Sequence, residues 1–309
     1  MEIINNVHNL LAEHHGNVVT MGNFDGVHLG HKQILSELNR HSRELGVPSL
    51  LVTFEPQPRE FFKGSQVPPR LTRLREKVEL LKSTQLDRLL LMPFNEQTAN
   101  TPARWITHDL FHQKLGAKLV LVGDDARFGR QREGSYQSVV EAGAECGYAV
   151  QQMPTFALDE ERISSTRIRA ALAQADFELA QRLLGHEYFI MGRVVYGRQL
   201  GRQLDVPTAN IRLQRYKAAL EGVYCVTVDD IDGQAYQGIA NIGVRPTVDG
   251  REPLLEVHVF DYDGNLYGRL LTVRFKHKLR DEQTFESITA LKAQIDADID
   301  TARRWFASA

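Results

Sequence analysis

The sequence predicts two domains of different class, an α/β unit on a parallel sheet followed by an all-β unit, a small antiparallel barrel or sandwich with a terminal helix. Three observations predict it. Apolar runs alternate with helical segments up to Gly185-His186; from Phe189 onward short strand-like stretches with glycine-rich turns replace them; and 309 residues leave room for two cores of ordinary size.

In the first domain, 18–21, 49–54, 88–92, 118–123 and 148–153 read as strands, with helical segments at 30–45, 71–81, 101–115 and 136–146 between them. Leu71, Leu74, Val78 and Leu81 recur at the spacing of one helix face. Strands that are continuous apolar runs, rather than alternating ones, belong to a parallel sheet covered on both faces. Two short helices over 164–184 close the unit. In the second domain, 222–228, 254–260 and 270–275 read as strands, and Asp232-Gly233 and Asp263-Gly264 as hairpin turns. The segment 287–306 returns to helical period, with Ile288, Leu291, Ile295 and Ile299 on one stripe. The pattern places the boundary near residue 185, giving domains 1–185 and 186–309.

Composition narrows the function. Hydrophobic residues make up 42% and charged residues 25%, values of a globular protein. The formal net charge is −2, so no broad basic field advertises nucleic acid, and phosphate recognition must come from local sites. Two cysteines, Cys146 and Cys225, without metal-type spacing suit a reducing compartment, the cytoplasm. Residues 1–11 lack the basic and apolar regions of a signal peptide, and no apolar run approaches the length of a membrane span, so no membrane partner is expected. No G-x-x-x-x-G-K-[ST] string is present, which excludes a P-loop kinase on motif grounds.

The densest chemical signal is GNFDGVHLGH (22–31), directly after the first of those strands. His28 and His31 bracket Gly30 where a helix opens at the carboxyl end of a parallel strand, the place where such sheets bind ligands. Helix N-terminal amides and imidazole donors together suit an anion, and Gly22, Gly26 and Gly30 let backbone approach it. A second cluster, RISSTRIR (162–169), sets hydroxyls at a helix start between cations. Ser164 or Ser165 could be a plain helix cap; with Thr166, Arg162 and Arg169 the group also makes a phosphate cradle. In the second domain, Pro207-Thr208-Ala209-Asn210 offers neutral oxygen donors of the type a hard cation takes beside ATP. Glu256 alternates with Leu255 and Val257, so it is either a solvent-facing strand residue or a carboxylate in a pocket.

In the first domain, GNFDGVHLGH, TFEPQPRE (53–60), VGDDARFG (122–129) and RISSTRIR, in that order, resemble the FMN adenylyltransferase module of prokaryotic FAD synthetases, a Rossmann-like nucleotidyltransferase with a His-x-Gly-His signature. In the second, GRVVYG (192–197), GRQLDVPTAN (201–210), GIANIGVRPT (238–247), LEVHVFDYDGNLYG (255–268) and RDEQTFES (280–287) resemble riboflavin kinase. The resemblance implies a bifunctional enzyme that phosphorylates riboflavin to FMN and adenylylates FMN to FAD, with riboflavin, FMN and ATP as ligands and Mg²⁺ arriving with ATP. It implies a monomer or weak homo-oligomer with no nucleic-acid partner. It makes His28 and His31 ATP-phosphate contacts, helped by Arg162, Ser164, Ser165, Thr166 and Arg169. Gly22, Asn23, Phe24, Asp25, Gly30, Pro56, Pro58 and Asp125 would line the ATP and flavin pocket. In the kinase half it makes Glu256 the general base, Thr208 and Asn210 the Mg²⁺–ATP ligands, and Gly192, Gly197, Gly201, Asn241 and Arg245 pocket residues, with Arg280, Glu282 and Phe285 bordering the flavin. Four positions depart from the pattern. Gln57 stands where many relatives have His, Asp125-Ala126 where an Asn and an aromatic are usual, and Asp205 where Gly is usual. A narrower reading follows from Ala126 or Asp205, a chain that keeps one activity only; a reading of a different class is a flavin-binding regulator without turnover.

Overall fold

The computed structural model describes residues 1–197, 206–247 and 250–309, with backbone only over 244–247 and 250–252. The chain packs as two compact units, Met1–Val67 with Lys77–Ser164, and Pro68–Glu76 with Ser165–Ala309.

The first unit is a six-stranded, all-parallel sheet of β1 (Glu2–Asn5), β2 (Asn17–Met21), β3 (Ser49–Glu55), β4 (Arg88–Pro93), β5 (Ala117–Gly123) and β6 (Ala149–Met153). Their order is β1-β4-β3-β2-β5-β6. Val18, Val19, Leu50, Leu51, Leu89, Leu90 and Val120 are buried on both faces, which is why these strands read as unbroken apolar runs. One face is covered by the core around Leu110, Phe111 and Val139, the other by the core around Leu35, Leu38 and Leu81. The chain leaves β2 toward β3 on one side and later returns to place β5 on the other. The order therefore reverses between β2 and β5, and the crevice at their carboxyl ends is the ligand position of an open α/β sheet.

Helix α1 (Leu29–Leu45) follows β2 and ends at Gly46, which takes the left-handed conformation of a helix stop. Next come α2 (Pro58–Lys63), α3 (Leu74–Lys82) and α4 (Glu96–Ala99). The helical expectation over 101–115 corresponds to a wide-turned π-type helix, Trp105–Lys114, closed by Leu115 N donating to Leu110 O at 2.9 Å. Helix α5 (Tyr136–Cys146) precedes β6, and a two-stranded ribbon of β7 (Ala157–Leu158) and β8 (Glu161–Arg162) leads out of the unit.

The second unit is a closed barrel in the order β10-β13-β12-β11-β14-β9, antiparallel throughout. Its strands are β9 (Phe189–Val195), β10 (Ala209–Arg212), β11 (Gly222–Ile231), β12 (Gln234–Thr247), β13 (Gly250–Val259) and β14 (Leu270–Arg280). Closure removes the sheet edges. Helices α6 (Ser165–Ala173) and α7 (Phe177–Leu184) belong to this unit by packing, Phe177 meeting Tyr224 edge-on with centroids 5.9 Å apart. The strand pattern changes at 185, but the packing divides earlier because the buried faces of these helices serve the barrel. Helix α8 (Ile288–Ser308) is capped by Ser287 and buries Ala302 against Cys225, Ile239 and Phe260. Both cysteines are free thiols, and among the described residues no helix is long and apolar enough to cross a membrane.

Candidate functional site

The turn from β2 into α1 is built under backbone strain. Phe24 has φ 48°, Gly26 85° and the β-branched Val27 40°. A left-handed Val is a rare and costly conformation that persists only where its surroundings impose it. Val27 is fully buried, and Asp25 and His28 are 4% and 6% exposed. The strain turns His28 into the N-cap of α1, where its Nδ1 accepts from His31 N at 3.4 Å. The two imidazoles stack with centroids 3.6 Å apart and planes 16° off parallel, and Phe24 stacks on His31 at 4.5 Å. Gly30 sits close under this ring, where a Cβ would lie 3.3 Å from His28 Nδ1, a tight contact. Gly22 likewise leaves room for the Phe24 ring, 3.0 Å from where its Cβ would sit.

Burial, then the charges of His28 and Lys77, hold the His31 imidazole well below the usual 6.5. His31 Nδ1 is buried with no hydrogen-bond partner. The turn thus offers a neutral imidazole with an unused polar atom at the carboxyl end of β2, beside the order reversal.

The other residues of this domain fall into distinct places. Asp125, in the loop after β5, is exposed and pairs with the equally exposed Arg162 at 2.6 Å. Pro56 and Pro58 flank Gln57, which caps α2 and is 6% exposed; its backbone N donates to Glu60 Oε2 at 3.0 Å, while its Nε2 is buried without a partner. Ala126 packs against the core that holds Phe111 and Val139. Asn23 O accepts from Thr53 Oγ1 at 3.4 Å. In the second unit, Ser165 and Thr166 open α6, and Arg169 Nε donates to Pro69 O.

In the barrel, strand register settles what Glu256 faces. Asn210 on β10 is directly opposite Glu256 on β13, and Glu256 is directly opposite Asn241 on β12. Directly paired residues share a sheet face about 5 Å apart, so the three form a polar row across three strands. Leu255 and Val257, alternating with Glu256, are fully buried. On the row's own face Asn210 is covered, at 6% exposure, while Glu256 and Asn241 stay partly exposed. Part of the cover is Gly197, whose Cβ would lie 2.6 Å from the Asn210 amide carbon. Glu256 is half-buried, and Asn241 Oδ1 is buried without a partner. Asn210 Nδ2 donates to Thr208 O at 3.4 Å, which brings the two proposed cation ligands together. A cavity of about 450 Å³ opens beside Thr208, walled by Val194, Pro207, Val257, Tyr262 and Tyr267. The donor chemistry fits a hard cation carried by a nucleotide: a hydroxyl, a carboxamide and an orphaned amide oxygen.

Gly192 leaves room for Ile211. Arg280 binds Asp298 of α8 through Nη2 at 2.8 Å and lies 5.7 Å from the Phe285 ring, while Glu282 reaches Gly243. Gly201 and the departure Asp205 lie outside the described residues, as does the side chain of Arg245.

The FAD synthetase family model matches residues 10–167, and the riboflavin kinase family model matches 184–306. The bifunctional riboflavin kinase/FMN adenylyltransferase of Pseudomonas fluorescens is 48% identical over 98% of this chain and 97% of its own. The chain belongs to the bifunctional riboflavin kinase/FMN adenylyltransferases. A second member, from Haemophilus influenzae, is 42% identical over the whole of both chains. A solved structure described as a macrolide-efflux protein from Streptococcus pneumoniae matches with a TM-score of 0.81 at 28% identity, covering 99% of this chain and all of that one. Family membership gives the chain both activities, with the FAD synthetase match falling on the parallel α/β sheet and the riboflavin kinase match on the closed antiparallel barrel.

Sequence reasoning missed two residues of these surroundings. Lys77 is fully buried and donates to Thr53 Oγ1 at 3.3 Å. Glu76 is fully buried with Arg215. The sequence does not mark either, since both read as polar positions on a helix beside the apolar Leu74, Val78 and Leu81.

Proposed function

We propose that adenylyl transfer runs in domain 1–185 on the His28–His31 turn, and phosphorylation in domain 186–309 on the Asn210–Glu256–Asn241 row. In the kinase half the ribityl 5′-hydroxyl of riboflavin attacks the γ-phosphorus of ATP. A new O–P bond forms, the bond to ADP breaks, and Glu256 accepts the hydroxyl proton. An alcohol needs that acceptor, and general base catalysis is worth about 10²–10⁴-fold. Thr208 and Asn210 hold the Mg²⁺ that arrives with ATP, which neutralises phosphate charge when bound.

In the adenylyltransferase half the FMN phosphate attacks the α-phosphorus of ATP and pyrophosphate leaves. That phosphate is already an anion near neutral pH, so alignment and charge stabilisation, not a strong base, are required. His28 and His31 supply imidazole hydrogen-bonding groups at the helix mouth, His31 with its pKa held down by burial. Arg162 exchanges its exposed Asp125 partner for phosphate at small cost, since such pairs contribute little. The phosphate roles of Ser164, Ser165, Thr166 and Arg169, and the flavin-side roles of Pro56, Pro58, Arg280, Glu282 and Phe285, rest on the sequence resemblance. The free thiols suit the cytoplasm, and a monomer or weak homo-oligomer suffices.

The observation that carries this reading is the register that sets Glu256 between two asparagines. The test supplies each substrate separately. His28→Ala given FMN and MgATP should form no FAD, yet given riboflavin it should form FMN at the parent rate. Equal loss of both steps would contradict two independent sites.

A further inference from the structure

Lys77 has no part in the chemistry described so far. Its side chain on α3 is completely buried, although withdrawing an ammonium from water is costly unless its charge is used. Nζ donates to Thr53 Oγ1 at 3.3 Å, and that hydroxyl donates in turn to Asn23 O at 3.4 Å. Thr53 is itself fully buried at the carboxyl end of β3. The relay therefore ties α3 to the strained turn that presents His28 and His31. The charged groups acting on His31 are His28 from the turn and Lys77 from α3. Phe24 covers one ring face, and the buried Asp25 lies in the same turn.

We propose that Lys77 is a positioning residue of the adenylyltransferase site, a buried ammonium that fixes the 22–28 turn through Thr53 and supplies the permanent positive charge beside the histidine pair. This rests on the reading of that pair as the phosphate-binding group of adenylyl transfer. With a fixed cation in place, a second cation on His31 would be repelled, so His31 stays a neutral imidazole at pH 7. It then offers incoming phosphates one N–H donor without titrating in the working range.

The test uses the full chain with histidine labelled for NMR, the His31 signals being assigned by their loss in His31→Gln. In Lys77→Met the His31 titration midpoint should rise by about one pH unit. It should remain below its ordinary value, because burial is the larger cause. The acid limb of kcat/KM for FMN adenylylation should move up with it, and Lys77→Arg should keep both near the parent values. A Lys77→Met chain with the parent midpoint and the parent acid limb would overturn the proposal. If that variant does not fold, the parent titration decides: a His31 midpoint at or above the ordinary histidine range would contradict a cation beside it. Failure of the underlying reading looks different, since His28→Ala would then still make FAD.

Discussion

Replacing Glu76 by Ala should destabilise the barrel unit more than any exposed substitution. Glu76 Oε1 accepts from Met191 N at 3.0 Å and from Arg215 Nη2 at 3.2 Å, and Oε2 accepts from Arg73 N. Both partners of the ion pair are buried, at 1% and 0% side-chain exposure, and Arg215 Nη1 also donates to Arg70 O at 3.1 Å. Removing the carboxylate strands a guanidinium without a counter-charge and leaves Met191 N–H unsatisfied. Breaking a buried pair from one side costs about 3–5 kcal/mol. At about 2–4 °C per kcal/mol for a domain of this size, the unit's melting temperature should fall by about 6–20 °C. The two tryptophans make the assay specific, since Trp105 lies in the first unit and Trp305 in the second. In a Trp105→Phe background, Trp305 fluorescence follows the barrel unit alone. Replacing both partners, Glu76→Met with Arg215→Met, should recover most of the loss, because paired apolar replacement is often neutral. A melt within about 2 °C of the parent for Glu76→Ala, or a double variant no better than the single one, would refute the reasoning.

Three further outcomes are expected. Glu256→Gln should lower riboflavin phosphorylation by about 10²–10⁴-fold while FAD formation from supplied FMN is kept, measured with each substrate separately. Gly197→Ala should raise the KM for MgATP in the kinase step by about tenfold, because its Cβ would sit 2.6 Å from the Asn210 amide carbon; an unchanged KM would show that Asn210 does not hold the nucleotide's cation. The depressed His31 pKa makes the unfolded chain bind the proton first, so stability of the first unit should fall as pH drops below about 6.5. Urea midpoints followed by Trp105 should show that fall in the parent, and a weaker one in His31→Gln.

The four inner strands of the parallel sheet were legible because burial on both faces makes them unbroken apolar runs. Edge strand β1 was not, since only Ile4 of Glu2–Asn5 is buried and the rest resembles a polar leader. Gly238, Gly243 and Pro246 interrupt the apolar pattern of β12, although its fourteen residues pair along their length with β13 or β11. The His-x-Gly-His turn was legible as chemistry, but its strain was not, because nothing in the sequence marks Val27 as left-handed. The environment of Glu256 depended on register, which alternation leaves open: the sequence tells which residues share its face within β13, but not that asparagines flank it on both neighbouring strands. Lys77 and Glu76 look like solvated positions on an amphipathic helix. Only the tertiary packing reveals that both are buried, each with a specific partner.

The most direct test of two separate ATP sites on one chain is a chromatographic time course of riboflavin, FMN and FAD with the purified protein and MgATP. FMN should appear first and then be consumed as FAD accumulates, and Glu256→Gln should abolish the first phase while FAD still forms from added FMN. FMN that accumulates without ever becoming FAD, or a Glu256→Gln chain that loses both phases alike, would contradict the account.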